Sequence, residues 1–304
     1  MKVYIANELF DGPYGGGNQL LRGLRSEFIS LGHYCQEPHE ADIILFNSHQ
    51  NLEEVVYLKQ NNPKTIFVHR LDGPMRLYNN MSDQRDLLAY KMNTAFADAV
   101  IFQSEWSKQA NLRLGLDIGE KRSVVIYNAA DPFIFKESPE KRKGNKIRLI
   151  ASSWSNNIKK GFLTYKYLDE NLDFDKYEFV FAGRSPIEFK NILNLGPLSA
   201  KGVANELQQS DIYITASEND PCSNSLLEAF SCKIPVLALN SGGHPELVKS
   251  GGLLFSKNEE IINKLGKMCD NYLELKRNIR TDSIFAVSKK YIDFFRELCS
   301  EKKD

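Results

Sequence analysis

At 304 residues, with 42% hydrophobic and 26% charged residues, the chain is long enough for two compact domains and has the make-up of a globular protein. Lysine plus arginine balances aspartate plus glutamate at 39 each, so no overall basic field recruits nucleic acid or an anionic membrane. The five cysteines form no C-x-x-C pair, the amino-terminal apolar stretch is too short for a signal peptide, and no run approaches the ~18 apolar residues of a membrane-spanning helix; the expectation is a cytoplasmic protein with reduced thiols and no zinc site.

In chain order, short apolar runs rich in β-branched and aromatic residues alternate with stretches of helical spacing. The first half offers Val3-Tyr4-Ile5, Ile43 to Phe46, Thr65 to Val68, Ala99 to Phe102 and Val124 to Tyr127 as strands. Leu20, Leu21, Leu24 and Phe28 fall on one helical face, as do Leu87, Leu88 and Met92. Near-continuous apolar strands between helices are what a parallel sheet covered on both faces requires. Glu137 to Lys146 carries no large apolar residue and reads as a linker. The alternation then restarts with Ile147 to Ile150, Phe179 to Phe181, Ile212 to Ile214, Pro235 to Leu239 and Leu253 to Phe255. Last comes a helical stripe of Ile284, Val287, Tyr291, Phe294, Phe295 and Leu298.

Chemistry concentrates where these strands end. Gly12-Pro13-Tyr14-Gly15-Gly16-Gly17 lies between the first strand and the first helix, where glycines let backbone approach a ligand; adjacent glycines are not the spaced dinucleotide fingerprint. His69-Arg70-Leu71-Asp72-Gly73-Pro74 follows the Thr65 to Val68 run, which places His69 at a strand end. Asp173-Phe174-Asp175 precedes a strand and reads as solvated surface, and the histidines have no partners at metal spacing, so no metal is expected.

The strongest segment runs from Ser217 to Phe230, after the strand ending near Ala216. Ser223 or Asn224 is placed to cap a helix whose first N–H groups, through Ser225, suit a diphosphate, and Glu228 is placed to accept from a vicinal diol. Asp220-x7-Glu228, then Ala229 to Val236, then Gly242-Gly243-His244-Pro245-Glu246, resembles the carboxyl-terminal signature of retaining GT-B glycosyltransferases of the group 1, or family 4, type. Val125 to Asp131 is similar to that family's domain-junction segment, Lys160-Gly161 to its Lys-Gly pair, and Phe181-Ala182-Gly183-Arg184 to the strand end beside the base. Two departures stand out: Asp220 replaces the first glutamate, with Glu218 nearby, and Ala151-Ser152-Ser153-Trp154 stands where an arginine is usual.

The resemblance implies an α/β GT-B fold, two Rossmann-like domains with parallel sheets facing across a cleft. Residues 1–138 form the acceptor-side domain, residues 146–283 the nucleotide-sugar domain, and residues 284–304 a helix that packs on the second domain or crosses back to the first. It implies retaining transfer from a nucleotide-diphosphate sugar to a saccharide, lipid-linked saccharide or protein acceptor, in which polysaccharide synthesis with peripheral membrane contact is included. His69, Asp220 and Lys160 would be catalytic, and Gly15, Gly16, Gly17, Arg184, Ser223, Asn224, Ser225 and Glu228 would hold the donor, with no cofactor. A GT-B epimerase or phosphorylase, or a noncatalytic sugar-nucleotide-binding protein, would use much of the same site.

Overall fold

The structure of the protein, a computed structural model, describes residues 1–10, 16–139 and 144–302. Its contacts divide the chain into two units, Met1–Asn128 with Asp282–Asp304, and Ala129–Thr281. The division falls about ten residues before the polar segment expected to separate domains at 138–146, of which residues 140–143 lie outside the described part. Its reason is local: Lys136 C=O accepts from the Gln208 side chain and Glu137 pairs with Lys276 at 3.0 Å, which ties both residues to the second unit.

The first unit holds one five-stranded sheet, parallel throughout, in the order β1-β2-β3-β4-β5. The strands are β1 (Val3–Ala6), β2 (Ile43–Asn47), β3 (Ile66–Leu71), β4 (Ala99–Phe102) and β5 (Arg122–Val125). Between them lie α1 (Gly16–Ser30), α2 (Leu52–Asn61), α3 (Met75–Tyr78), α4 (Arg85–Phe96) and α5 (Glu105–Arg113). β2, β3 and β4 are buried at every position, as a sheet covered on both faces demands. α1 buries the expected Leu20, Leu21, Leu24 and Phe28. α4 departs from its expected face: Ala89, Tyr90, Met92 and Asn93 are buried while Leu87 is 42% exposed.

The second unit holds a six-stranded parallel sheet in the order β11-β10-β9-β6-β7-β8. Its strands are β6 (Ile147–Ser153), β7 (Tyr177–Gly183), β8 (Leu193–Gly196), β9 (Ile212–Thr215), β10 (Val236–Leu239) and β11 (Gly252–Phe255). Its helices are α6 (Phe162–Asn171), α7 (Ala200–Gln208), α8 (Asn224–Ser231), α9 (His244–Val248), α10 (Ile261–Asp270) and α11 (Tyr272–Asn278). Phe162, Tyr165, Phe179 and Phe181 form the aromatic centre of its core. The chain leaves β6 towards β7 on one side and returns to β9 on the other. That reversal opens a crevice beyond the carboxyl ends of β6 and β9, the place where open α/β sheets take ligands.

The last helix, α12 (Ile284–Glu301), belongs to the first unit and packs along α1. Its buried stripe includes Ile284, Val287, Tyr291, Phe294, Phe295 and Leu298. Phe295 meets Phe28 edge-on at 6.3 Å, and a side chain at Gly23 of α1 would crowd Ile284 at 3.0 Å. Arg122 of β5 pairs with Glu297 at 3.0 Å and with Glu301. Among the described residues no helix is long and apolar enough to cross a membrane.

Candidate functional site

At the crevice of the second unit three loops are sewn together by their backbones. Glu218 N–H donates to Lys159 C=O (2.8 Å), joining the loops that follow β6 and β9. Gly243 N–H donates to Asp220 C=O (2.8 Å) and Asn219 N–H to Ser241 Oγ (3.0 Å), joining the loops that follow β9 and β10. Two glycines make this closeness sterically available. Gly161, at φ +95°, would place a Cβ 2.5 Å from the Ala216 Cβ, and Gly242, at φ +61°, would place one 2.3 Å from the Asp220 carbonyl oxygen.

Lys160 and Asp220 meet at this junction. Lys160 Nζ donates to Asp220 Oδ2 at 3.0 Å, both side chains being largely but not wholly buried. Burial opposes ionisation of Asp220, but Lys160 and the Cys222 N–H outweigh it and hold the carboxyl below its ordinary range. His244 is fully buried; its Nδ1 donates to Leu239 C=O (2.9 Å), which leaves Nε2 an acceptor with no partner among the described residues. Burial pushes this imidazole below its usual pKa, so it stands neutral beside the pair.

Glu228 differs from every carboxylate around it. It lies in the second turn of α8, partly buried, and burial alone pushes its carboxyl up to about 8, with no neighbouring side chain offsetting that among the described residues. Ser223 occupies the N-cap of α8 but its side chain makes no cap hydrogen bond; Ser223 Oγ lies 3.2 Å from Ser225 Oγ. The first N–H groups of a helix have no intrahelical acceptor, so those of Ser225 and Leu226, with the helix dipole, face the loop as an anion-binding end. Tyr213 Oη, 3.1 Å from Ser152 Oγ, lies within reach of Ser225 and is pushed up to about 12, chiefly by burial. Arg184 follows β7 with its N–H on Ser153 C=O (2.9 Å) and its side chain exposed. Lys160, Arg184, Asp220, Ser223, Asn224, Ser225 and Glu228 thus all lie at or beyond the carboxyl edge of one sheet.

The first unit is otherwise. Gly16 and Gly17 open α1, while Gly15 lies outside the described residues. His69 does not stand at a strand end, because β3 runs on to Leu71. It is fully buried and stacked on Phe46 at 4.3 Å. Nε2 donates to Ser48 C=O (2.8 Å), so Nδ1 is the acceptor for Asn93 Nδ2 (3.1 Å). Burial drives its pKa down to about 3, so both nitrogens are committed to the core and the expected contact to a sugar is corrected to a structural role.

What the sequence reading missed is next door. Arg70, fully buried in β3, donates through Nη1 to Asn47 Oδ1 (2.6 Å) and Asp72 Oδ1 (3.0 Å), and through Nη2 to Asn128 Oδ1 (2.8 Å). Gln103 donates to the same Asp72 oxygen and accepts from Asn128 Nδ2 (3.1 Å). The signal was an arginine inside an apolar strand, with polar residues at the ends of neighbouring strands. Asp173 and Asp175 form an exposed turn in which Asp175 N–H donates to Asp173 Oδ1 at 3.0 Å. Among the described residues no three His, Cys, Asp or Glu side chains gather as a metal site.

Comparison with known proteins accords with this geometry. Residues 165–283 match the family model described as glycosyl transferases group 1. A probable sucrose-phosphate synthase from Thermosipho melanesiensis is 26% identical over 151 residues, covering 48% of this chain and 34% of that protein. The chain spans less than half the length of the curated relatives it matches. Among solved structures, sucrose-phosphate synthase from Thermosynechococcus elongatus superimposes with a TM-score of 0.78 at 14% identity, covering 98% of each chain. Anabaena HepE, solved in complex with UDP and glucose, gives 0.76 at 17% identity, covering 98% of this chain and 100% of that one. The scaffold of both units is therefore of the GT-B type, two parallel-sheet α/β domains.

Proposed function

We propose, for a chain whose residues 165–283 belong to the group 1 glycosyltransferases, that it moves a sugar from a nucleotide-diphosphate donor to a saccharide or related hydroxyl acceptor. The observation that carries this reading is Glu228: a partly buried carboxyl without a hydrogen-bond partner among the described residues, on the helix that follows the loop carrying Asp220, the partner of Lys160. In this reading Glu228 accepts from the ribose diol, while the α8 amino end and Lys160 receive the diphosphate. Lys160 then exchanges Asp220 for phosphate, and Asp220 is released to a hydroxyl of the sugar. Arg184, exposed after β7, lies on the base side. Fixed N–H groups and a lysine stabilise a departing diphosphate by preorganised charge.

Retention of anomeric configuration follows from the resemblance, and a saccharide, lipid-linked saccharide or protein acceptor belongs to the same proposal. So does a cytoplasmic setting, which the free cysteines support. Because HepE was solved with UDP and glucose, UDP and UDP-glucose are the first ligands to test. Calorimetric titration of UDP in the presence of a chelator should give saturable binding, weakened by Glu228→Ala by about 5- to 150-fold, the equivalent of ~1–3 kcal/mol for two hydrogen bonds from the ribose diol. Unchanged affinity in a folded variant removes Glu228 from the site, and no binding of any nucleotide or nucleotide sugar by the wild type removes the reading.

A further inference from the structure

We infer that Asp72 is a hydroxyl-binding carboxylate of the first unit, held in place by buried Arg70 and aimed at a neutral, polyhydroxylated ligand. Arg70 is sealed: its guanidinium has no exposure, nor is more than 4% of Asn47, Gln103 or Asn128 accessible. These partners come from the ends of β2 and β4 and the segment after β5, so three other chain segments converge on one arginine. The Asp72 side chain alone in this group reaches the surface, at 22% exposure.

Its two oxygens are unequally used. Oδ1 accepts from Arg70 and from Gln103, whereas among the described residues Oδ2 has only the Asn47 amide, at 3.5 Å, the outer limit of a hydrogen bond. The backbone is fixed as well, because Asp72 C=O accepts from Asn111 Nδ2 (3.0 Å) and Ser107 Oγ (3.4 Å). A carboxylate oxygen has about two acceptor sites, so Oδ2 retains capacity in a group that cannot turn away. A buried ion pair of this kind is a poor source of stability compared with apolar packing, and its better-founded use is to fix a geometry.

Position and charge decide the ligand class. β3 is the central strand, and Asp72 stands just past its carboxyl end, the edge where α/β sheets bind ligands. α1 begins beside the same group: a Cβ at Gly17 would stand 3.7 Å from Asn47 Nδ2. The outward group is an anion and the cation behind it is enclosed, so phosphate is repelled and a hydroxyl donor is favoured. In a sugar-transferring enzyme, the reading on which this rests, that ligand is the acceptor sugar.

The test is site-resolved. The full-length ¹⁵N-labelled chain is titrated with methyl glucoside, methyl galactoside, methyl mannoside and, separately, inorganic phosphate, following Gly73 N–H and the Gln103 side-chain amide. Saturable shifts at both with at least one glycoside and none with phosphate are expected, with affinity about 10-fold lower in Asp72→Asn. Silence at these amides in the wild type overturns the proposal, as does an unchanged titration in Asp72→Asn or a response to phosphate alone. A parallel UDP titration separates the two readings. UDP binding without glycoside shifts removes Asp72 only, whereas glycoside shifts without UDP binding retain Asp72 and remove the donor site.

Discussion

The carboxyl edges of the two sheets both gather charged side chains, and they dispose of them in opposite ways. In the first unit the cation is enclosed: Arg70 has no exposure and is surrounded by Asn47, Asp72 and Asn128. In the second unit the cation is accessible: Lys160 is 24% exposed and paired with Asp220, beside a helix whose Ser223 side chain makes no cap hydrogen bond and a glutamate with no hydrogen-bond partner among the described residues. An enclosed network fixes shape, whereas accessible donors and acceptors mark where a ligand can complete the structure. In the proposed function this difference assigns the donor to the second unit, and in the Arg70 cluster of the first unit it leaves Asp72 as the outward group.

The largest effect expected from this contrast is on stability. Asp72→Ala strands an enclosed guanidinium and should cost about 3–5 kcal/mol, whereas Lys160→Ala, which leaves the partly solvated Asp220 without that cation, should cost less, about 1–3 kcal/mol. Urea unfolding of the two variants checks this, and equal costs would erase the distinction drawn between the edges.

Smaller, and specific to the second unit, is the effect of Gly242→Ala. At φ +61° and with its new Cβ against the Asp220 carbonyl, alanine should destabilise by about 1–3 kcal/mol and weaken UDP binding. A variant with wild-type UDP affinity would show that the three-loop junction does not position the donor.

The smallest effect is a pH dependence. The Glu228 carboxyl stands at about 8 in the folded chain against an ordinary value of 4.5. A raised folded pKa contributes stability that is full below pH 4.5 and is lost as pH rises through 8. Glu228→Gln does not titrate, so its melting temperature should gain on the wild type between pH 5 and about 8.5. Solvent screening of a partly exposed group limits the gain to on the order of 1–3 kcal/mol. A constant difference across that range would mean that Glu228 is ionised, and partnered, throughout.

How much of this was legible beforehand follows the same contrast. Much of the second unit's candidate site was legible in contiguous residues, Asp220 to Glu228 and Gly242 to Glu246, because one strand end, one helix and one loop carry them. α12 was legible as a stripe, since 3.6-residue periodicity is local information. β8 was not: as an edge strand with two exposed leading positions, Leu193-Asn194-Leu195-Gly196 carries no apolar run. The expected end of β3 at Val68 was wrong because His69 and Arg70 look like strand terminators. They continue the strand only because Ser48, Asn93, Asn47 and Asn128, distant in sequence, satisfy them. That dependence also moved the first unit's candidate from His69, whose nitrogens are both occupied, to Asp72, whose outer oxygen has just the distant Asn47 amide among the described residues. The linker read at Glu137 to Lys146 does not coincide with the division between the units, because polarity does not reveal that Glu137 is anchored to Lys276.

The central claim is that the second unit's unmet groups are completed by a nucleotide diphosphate. A crystal structure with bound UDP-glucose tests it most directly. The account predicts the diphosphate within hydrogen-bonding distance of the Ser225 or Leu226 N–H and of Lys160 Nζ, the Lys160–Asp220 bond broken or lengthened beyond 3.0 Å, and the ribose hydroxyls on Glu228. A nucleotide bound with Glu228 still unpartnered and Lys160 still closed on Asp220 would contradict it.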